Sequence, residues 1–255
     1  DGRVLRQASL GSLQPFTQRP LRSRSHALPF LMKPGQNYEL LLRVETSGAM
    51  MLPITLQKPP AWHSAALNEQ LLQGSLIGLA LCLLLYSLGQ WFNLREVLFL
   101  QYALLITGST LFSLHLFGLG TQYLWTDNAW FELHVAGLAA LMATCGSFLF
   151  IGQTLMGQQP ASRLLRAMRW GAVLCVVLGM LYALDVLSTR VITAIVSLLG
   201  LVPALMGIPG ALRRAREGDD IGISLLLAWM LYFAATAVVI GIIQGRVPVN
   251  FWTLH

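Results

Sequence analysis

The chain of 255 residues is 55% hydrophobic and only 11% charged, with mean hydropathy +0.63 and a formal net charge of +6. A soluble domain carries about 25% charged residues, so an ordinary water-soluble globule is excluded and a lipid-embedded chain is indicated. Cys82, Cys145 and Cys175 all lie in apolar runs, offer no disulfide framework or metal-knuckle spacing, and read as small apolar packing residues.

The front of the chain, residues 1–60, has a different character. No secretory signal peptide opens it; Asp1 leads directly into a polar, Arg-bearing stretch, and the last residues begin an apolar run and stop. Both ends lead us to expect a piece of a longer protein. The runs "HALPFLMK", "NYELLLRV" and "MMLPITL" are short, apolar and separated by the turn compositions "PGQ" and "TSGA". Tyr38, Leu40, Leu42 and Val44 alternate with Glu39, Leu41, Arg43 and Glu45, which predicts a half-buried strand with the charged residues on its wet face. Three or four strands make a marginal domain alone, so they are expected to complete a sheet begun upstream. "RPLRSRSH" clusters Arg19, Arg22 and Arg24, either as an anion-binding group or, the commoner case, as a solvated strand face or turn. "QKPPAW" follows as a stiff joint.

Residues 61–255 are expected to form a polytopic transmembrane bundle. Apolar segments run over about 71–92, 98–119, 131–156, 170–187, 191–212 and 221–245, and a seventh starts near Val249. About 20 residues at 1.5 Å each cross a hydrocarbon core about 30 Å thick. The predicted fold is therefore mostly α: six complete helices plus the start of a seventh, preceded by the last strands of a β-sandwich. Arg95, Arg163, Arg166, Arg169, Arg213, Arg214 and Arg216 fall in loops one, three and five, against only Arg190 and Arg246 in the alternate loops. That bias places the odd loops in the cytoplasm and the β-segment outside.

Ionisable residues in the helices are few. Glu69, Glu132 and His134 start helices that enter from outside, and His115 and Asp185 end helices that exit there. All five are thus expected at the external rim. Intramembrane ionisable groups default to function, which would make this a contact ring for the β-domain or a ligand; the plainer reading is that charge is inexpensive at a wet rim. The charge-free middle of the helices argues against an ion pump, and against the alternative of a transporter or permease subunit, which needs a polar midplane site. Glu132 and His134 supply two metal ligands at most, so no metal is expected. No nucleophile–base pair, phosphate loop or HExxH occurs; neither an enzyme active site nor a cofactor is expected in these residues, and external placement excludes nucleic acid. Gly74 and Gly78, and again Gly241 and Gly245, stand one turn apart as helix-packing positions, compatible with a homodimer. Pro203 and Pro209 predict a bend in the fifth segment.

The order of these parts resembles the bacterial seven-transmembrane receptors with diverse intracellular signalling modules. "QLLQGSLIGLALCLLLYSL" is similar to that family's first helix through Gly74, Gly78 and Tyr86, with Ser87 where an Asn is expected. "REVLFLQYAL" resembles its following turn and helix through Arg95, Glu96 and Tyr102, and "FGLGTQYLW" its external turn through Gly118, Gly120, Tyr123 and Trp125. The front resembles the last strands of its jelly-roll extracellular domain. The resemblance implies a receptor in the bacterial inner membrane whose periplasmic domain takes a carbohydrate-like or other small ligand. Its bundle would pass the signal to a cytoplasmic histidine kinase or a diguanylate cyclase, two-component or cyclic di-GMP output, neither of which lies in these residues.

Overall fold

A computed structural model describes residues 4, 7–11, 14, 16–21, 23, 24, 26–45, 54–156 and 163–243. Among the described residues, a 3-10 turn at Phe16–Gln18 is followed by eight helices: α1 (Pro59–Leu94), α2 (Val97–Leu116), α3 (Leu119–Tyr123), α4 (Ala129–Met156), α5 (Arg163–Ala183), α6 (Thr189–Leu199), α7 (Val202–Arg216) and α8 (Asp220–Ile243). Among the described residues, five spans are long and apolar enough to cross a membrane, with α6 and α7 taken together as Thr189–Arg216, and the apolar α8 follows them.

Three sequence expectations are corrected here. The first helix starts at Pro59, twelve residues ahead of the expected 71, so "KPPAW" is not a joint. Pro59 and Pro60 occupy the first helical positions, where a missing N–H costs nothing. The 36 residues of α1 make a rod of about 54 Å, well beyond what the hydrocarbon core needs. The fifth segment is two helices: α6 ends at Leu199, and α7 restarts at Val202 with Pro203 in its first turn. Pro203 has no N–H for the carbonyl one turn back, so the helix breaks beside Gly200; Pro209 is carried inside α7. Finally, α5 begins at Arg163, drawing Arg163, Arg166 and Arg169 into its first two turns.

The front differs most. No strand occurs among the described residues. Leu40 and Leu42 are 59% and 57% exposed, and Leu41 on the opposite face is 84% exposed. An extended segment buries a face only where other strands cover it, and none lies beside this one. The runs around 46–53, and the start of the seventh helix near Val249, lie outside the described residues.

The bundle is organised around α4. Half of its most apolar window is buried, against 11% for that of α1. From α4, Leu141, Cys145, Phe148 and Ile151 enter one core with Leu165, Met168, Ala172, Cys175 and Tyr182 of α5, Ile192 of α6, Ala204 and Ala211 of α7 and Trp229 of α8. On its other side α4 meets α2 at backbone distance. A Cβ on Gly108 would lie 2.4 Å from the Ala143 nitrogen, and one on Gly146 would lie 2.6 Å from the Leu105 nitrogen. These small residues hold the seam. Gly74 and Gly78, by contrast, have nothing within 4 Å. Gly241 lies in the last turn of α8, and Gly245 is outside the described residues. All three cysteines are free thiols; Cys145 and Cys175 are buried, and Cys82 is exposed on α1.

Candidate functional site

The helices alternate in direction, so the end of α1 at Arg95, the start of α5 and the end of α7 share one end of the bundle. The opposite end gathers the start of α4, the α2–α3 turn, the α5–α6 turn and the front of the chain. All five ionisable residues singled out from the sequence lie toward that second end. They form two clusters and an ion pair.

The first cluster is built on Glu132. Asn128 caps α4, its side-chain oxygen accepting the Phe131 N–H at 3.0 Å, and this sets Glu132 in the first turn, facing the α2–α3 corner. Glu132 is 8% exposed. Its Oε2 accepts the Thr121 hydroxyl and the Trp125 indole N–H, both at 2.7 Å. Its Oε1 lies 3.8 Å from His115 Nδ1 at the end of α2, too far for a hydrogen bond. Burial of the carboxylate is thus compensated by two short charge-assisted bonds. A Cβ on Gly120 would run into the Trp125 ring, so that glycine makes room for the indole.

The ion pair joins the front to the bundle. Arg24 bonds Glu69 of α1 through one guanidinium nitrogen and the Phe117 carbonyl, at 3.3 Å, through another. Gly118 takes φ +70°, and a Cβ there would stand 2.8 Å from the Arg24 carbonyl oxygen. Thr17 donates to Asp127 at 3.3 Å. Arg19 lies over the Phe16 ring and donates to the carbonyls of Ser23 and Arg24, while its buried Nε has no hydrogen-bond partner. Burial lowers the pKa of Arg19, and the Glu132 charge opposes that; His26 is lowered by burial and then by Arg19, again against Glu132. Arg19 and Arg24 are therefore part-buried seats for the front segment and not a solvated face, while Arg22 of the same cluster lies outside the described residues.

The second cluster is built on His134, two residues after Glu132 on α4. Its ring is 6% exposed and stacks on Trp130 at 4.5 Å, with Tyr182 of α5 at 4.9 Å on another side. The Tyr182 hydroxyl donates to the Leu133 carbonyl at 2.9 Å and lies 3.3 Å from the Thr189 hydroxyl. His134 Nδ1 faces the Trp130 carbonyl at 2.8 Å, and Nε2 faces Asp185 Oδ1 at 2.9 Å. Asp185 sits at the end of α5 with φ +58°. Its N–H goes to Tyr182 O and that of Val186 to Leu181 O, the pairing of a helix terminus whose left-handed residue is usually Gly. An aspartate there costs about 1 kcal/mol.

Sequence reading named the five ionisable residues and missed what they bind. Arg24 and Trp125 stood out only as members of the arginine cluster and of the external turn, with no link to Glu69 or Glu132, and Thr121, Trp130 and Tyr182 carry no motif. Among the described residues no group of three His, Cys, Asp or Glu converges as a metal site. What the arrangement can do chemically is transmit position and charge between the front segment, the helix corners and α4.

Comparison with known proteins agrees with this architecture. Residues 69–255 match the family model described as 7TM diverse intracellular signalling, and residues 1–58 match the one described as 7TMR-DISM extracellular 2. No curated protein and no solved structure matches the chain. With most of its length in the first match, the chain belongs to the 7TM receptors of diverse intracellular signalling: it is a multi-pass membrane sensory receptor with an extracellular and a seven-transmembrane domain.

Proposed function

We propose that the chain couples a ligand-binding β-domain in the periplasm of a bacterium to a cytoplasmic output, a histidine kinase or a diguanylate cyclase attached after the seventh helix in the inner membrane. The arginine bias supports this orientation: Arg163, Arg166, Arg169, Arg213, Arg214 and Arg216 gather at the end of the bundle away from the front segment. The exposed leucines around 40–42 are what a jelly roll would cover once its other strands are present. A carbohydrate-like or other small ligand in that domain would change how residues 16–26 seat on the rim, shifting a two-state arrangement of the helices below. Glu69, His115, Glu132, His134 and Asp185 serve in that coupling, and none is assigned to chemistry. The open Gly74–Gly78 face of α1 supports packing against a second copy within the bilayer.

The observation that carries the reading is the Arg24 guanidinium, which ties the front segment to α1 and α2 at once. A charge exchange tests it in the intact receptor. R24E or E69R alone is expected to lower ligand-stimulated output at least tenfold while leaving membrane insertion unchanged. The R24E/E69R double variant is expected to recover much of the loss. Single variants that signal like wild type would remove the coupling role from this contact.

A further inference from the structure

We propose that the groove between α1 and α2 is the seat of the seventh helix, the segment that begins near Val249, with the polar start of that helix against two serines of α2. The groove holds about 380 Å³ and is lined by Leu76, Ala80 and Leu83 of α1 and by Ile106, Ser109 and Ser113 of α2. That space takes the side chains of one helix face, while the helix itself lies over it. Its outer mouth lies between Gln73 and Phe117, about one turn from the Arg24 contacts to Glu69 and to the Phe117 carbonyl.

Two hydroxyls in the groove call for a polar occupant. A Ser or Thr inside a helix commonly returns its hydroxyl to the carbonyl one turn back. Ser75, Thr107 and Thr110 do so, each at 2.8 Å. Ser109 and Ser113, one turn apart on the groove side of α2, bond nothing among the described residues. A hydroxyl facing hydrocarbon without a partner is costly, and a lipid acyl chain offers it none. The segment that opens VNFWTLH does: Asn250 and Thr253, three residues apart, would share one face of a helix, and such side chains bond across helices in a bilayer.

The path of the chain leads to the same place. α8 starts at Asp220, just after α7, and finishes at Ile243 at the opposite end of the bundle, so the seventh crossing begins at the end where the groove has its mouth. Other seats are taken: α2 and α4 meet at backbone distance through Gly108 and Gly146, and the far side of α4 is packed by α5, α6, α7 and α8. α1 keeps most of its apolar surface uncovered. Its groove residues lie about 140° round the helix from Gly74 and Gly78, so a second copy on the glycine face does not compete for the groove. The inference rests on the proposed function only for its consequence: Arg24 grips α1 and α2 on either side of the mouth, and a shift of the front segment would change the width that the seventh helix fills.

Paired cysteines in the full-length receptor, otherwise free of cysteine and carrying a protease site inserted after Gly218, test the seat. After oxidation in membranes and cleavage, the two fragments stay joined only where a disulfide links them. Asn250→Cys or Thr253→Cys is expected to join Ser109→Cys or Ser113→Cys at least about tenfold faster than it joins Gly78→Cys, because the bond forms only where Cα atoms approach within about 7 Å. Equal rates at Gly78→Cys, or no joining at either serine position, would overturn the seat and leave the groove to lipid. Ser113→Cys alone linking two receptor copies at the faster rate would overturn it too, giving the groove to a second chain. Ligand-stimulated output of the joined receptor is a separate reading. Fragments that join while output stays as in the unjoined receptor would leave the seat standing and remove it from the proposed coupling.

Discussion

The two ends of the bundle use charge in opposite ways. At the front end, Glu132, His134 and Glu69 are partnered by residues far along the chain or on other elements: Trp125 and Thr121 from the α3 corner, Asp185 from beyond α5, Arg24 from the front segment. At the arginine-rich end, Arg213 pairs with Glu217 one turn away with 75% and 60% of their side chains exposed, and Arg214 pairs with Asp219 across the next turn. Charges of the first kind join elements and lose much if one member goes. Those of the second kind are local, and the exposed Arg213–Glu217 pair is of the sort that contributes about 0–1 kcal/mol, although Arg214 and Asp219 are only 20% and 35% exposed. The lesson is that position along the chain separates structural from solvating charge better than residue type does.

Removing a member from each end makes that contrast measurable. Glu132→Ala strands the Trp125 indole N–H and the Thr121 hydroxyl inside the α2–α4 corner, and is expected to cost about 3 kcal/mol. Thermal unfolding followed by tryptophan emission reads it, with Glu132→Gln recovering part of the loss because the amide oxygen still accepts. Exchanging Arg24 and Glu69 should have a smaller effect on stability and a larger one on coupling, since the pair joins two bodies and supports the core of neither. Arg213→Ala is expected to change stability by less than about 0.5 kcal/mol, and a melting curve displaced as far as that of Glu132→Ala would erase the distinction between the two ends.

Much of the membrane domain was legible because lipid imposes long apolar runs whatever the tertiary contacts. The described helices follow the hydropathy, and the arginine bias of loops one, three and five follows from counting. What hydropathy misses is backbone at the ends and seams. Pro59 and Pro60 look like a joint in one dimension and are the first turn of α1, because proline at a helix start meets no unsatisfied partner. Gly74 and Gly78 have the spacing of a packing motif, yet a Cβ at either would meet nothing within 4 Å among the described residues, whereas Gly108 and Gly146 lie at backbone distance from the neighbouring helix. Which glycine is used depends on which helix is central, a property of three-dimensional order. In the front, the period of two at Tyr38–Val44 is a valid strand pattern, yet alternation alone supplies no ladder and no cover. The rim residues were visible as rare charges; their partnerships were not, since Trp125 stood out only as part of a turn and Trp130 and Tyr182 are ordinary aromatics until the corner folds around them.

Coupling requires that the segment around Thr17 rest on the α3–α4 corner of the bundle, where Thr17 meets Asp127. Cysteines placed at these two positions, in a chain with Cys82 replaced by Ala, should be joined rapidly by a short thiol-reactive crosslinker in intact cells. Joining should slow when the receptor is activated. A pair that reacts no faster than Thr17→Cys with a cysteine at the far end, in place of Arg213, would contradict the seating and with it the proposed route from the front segment to the helices.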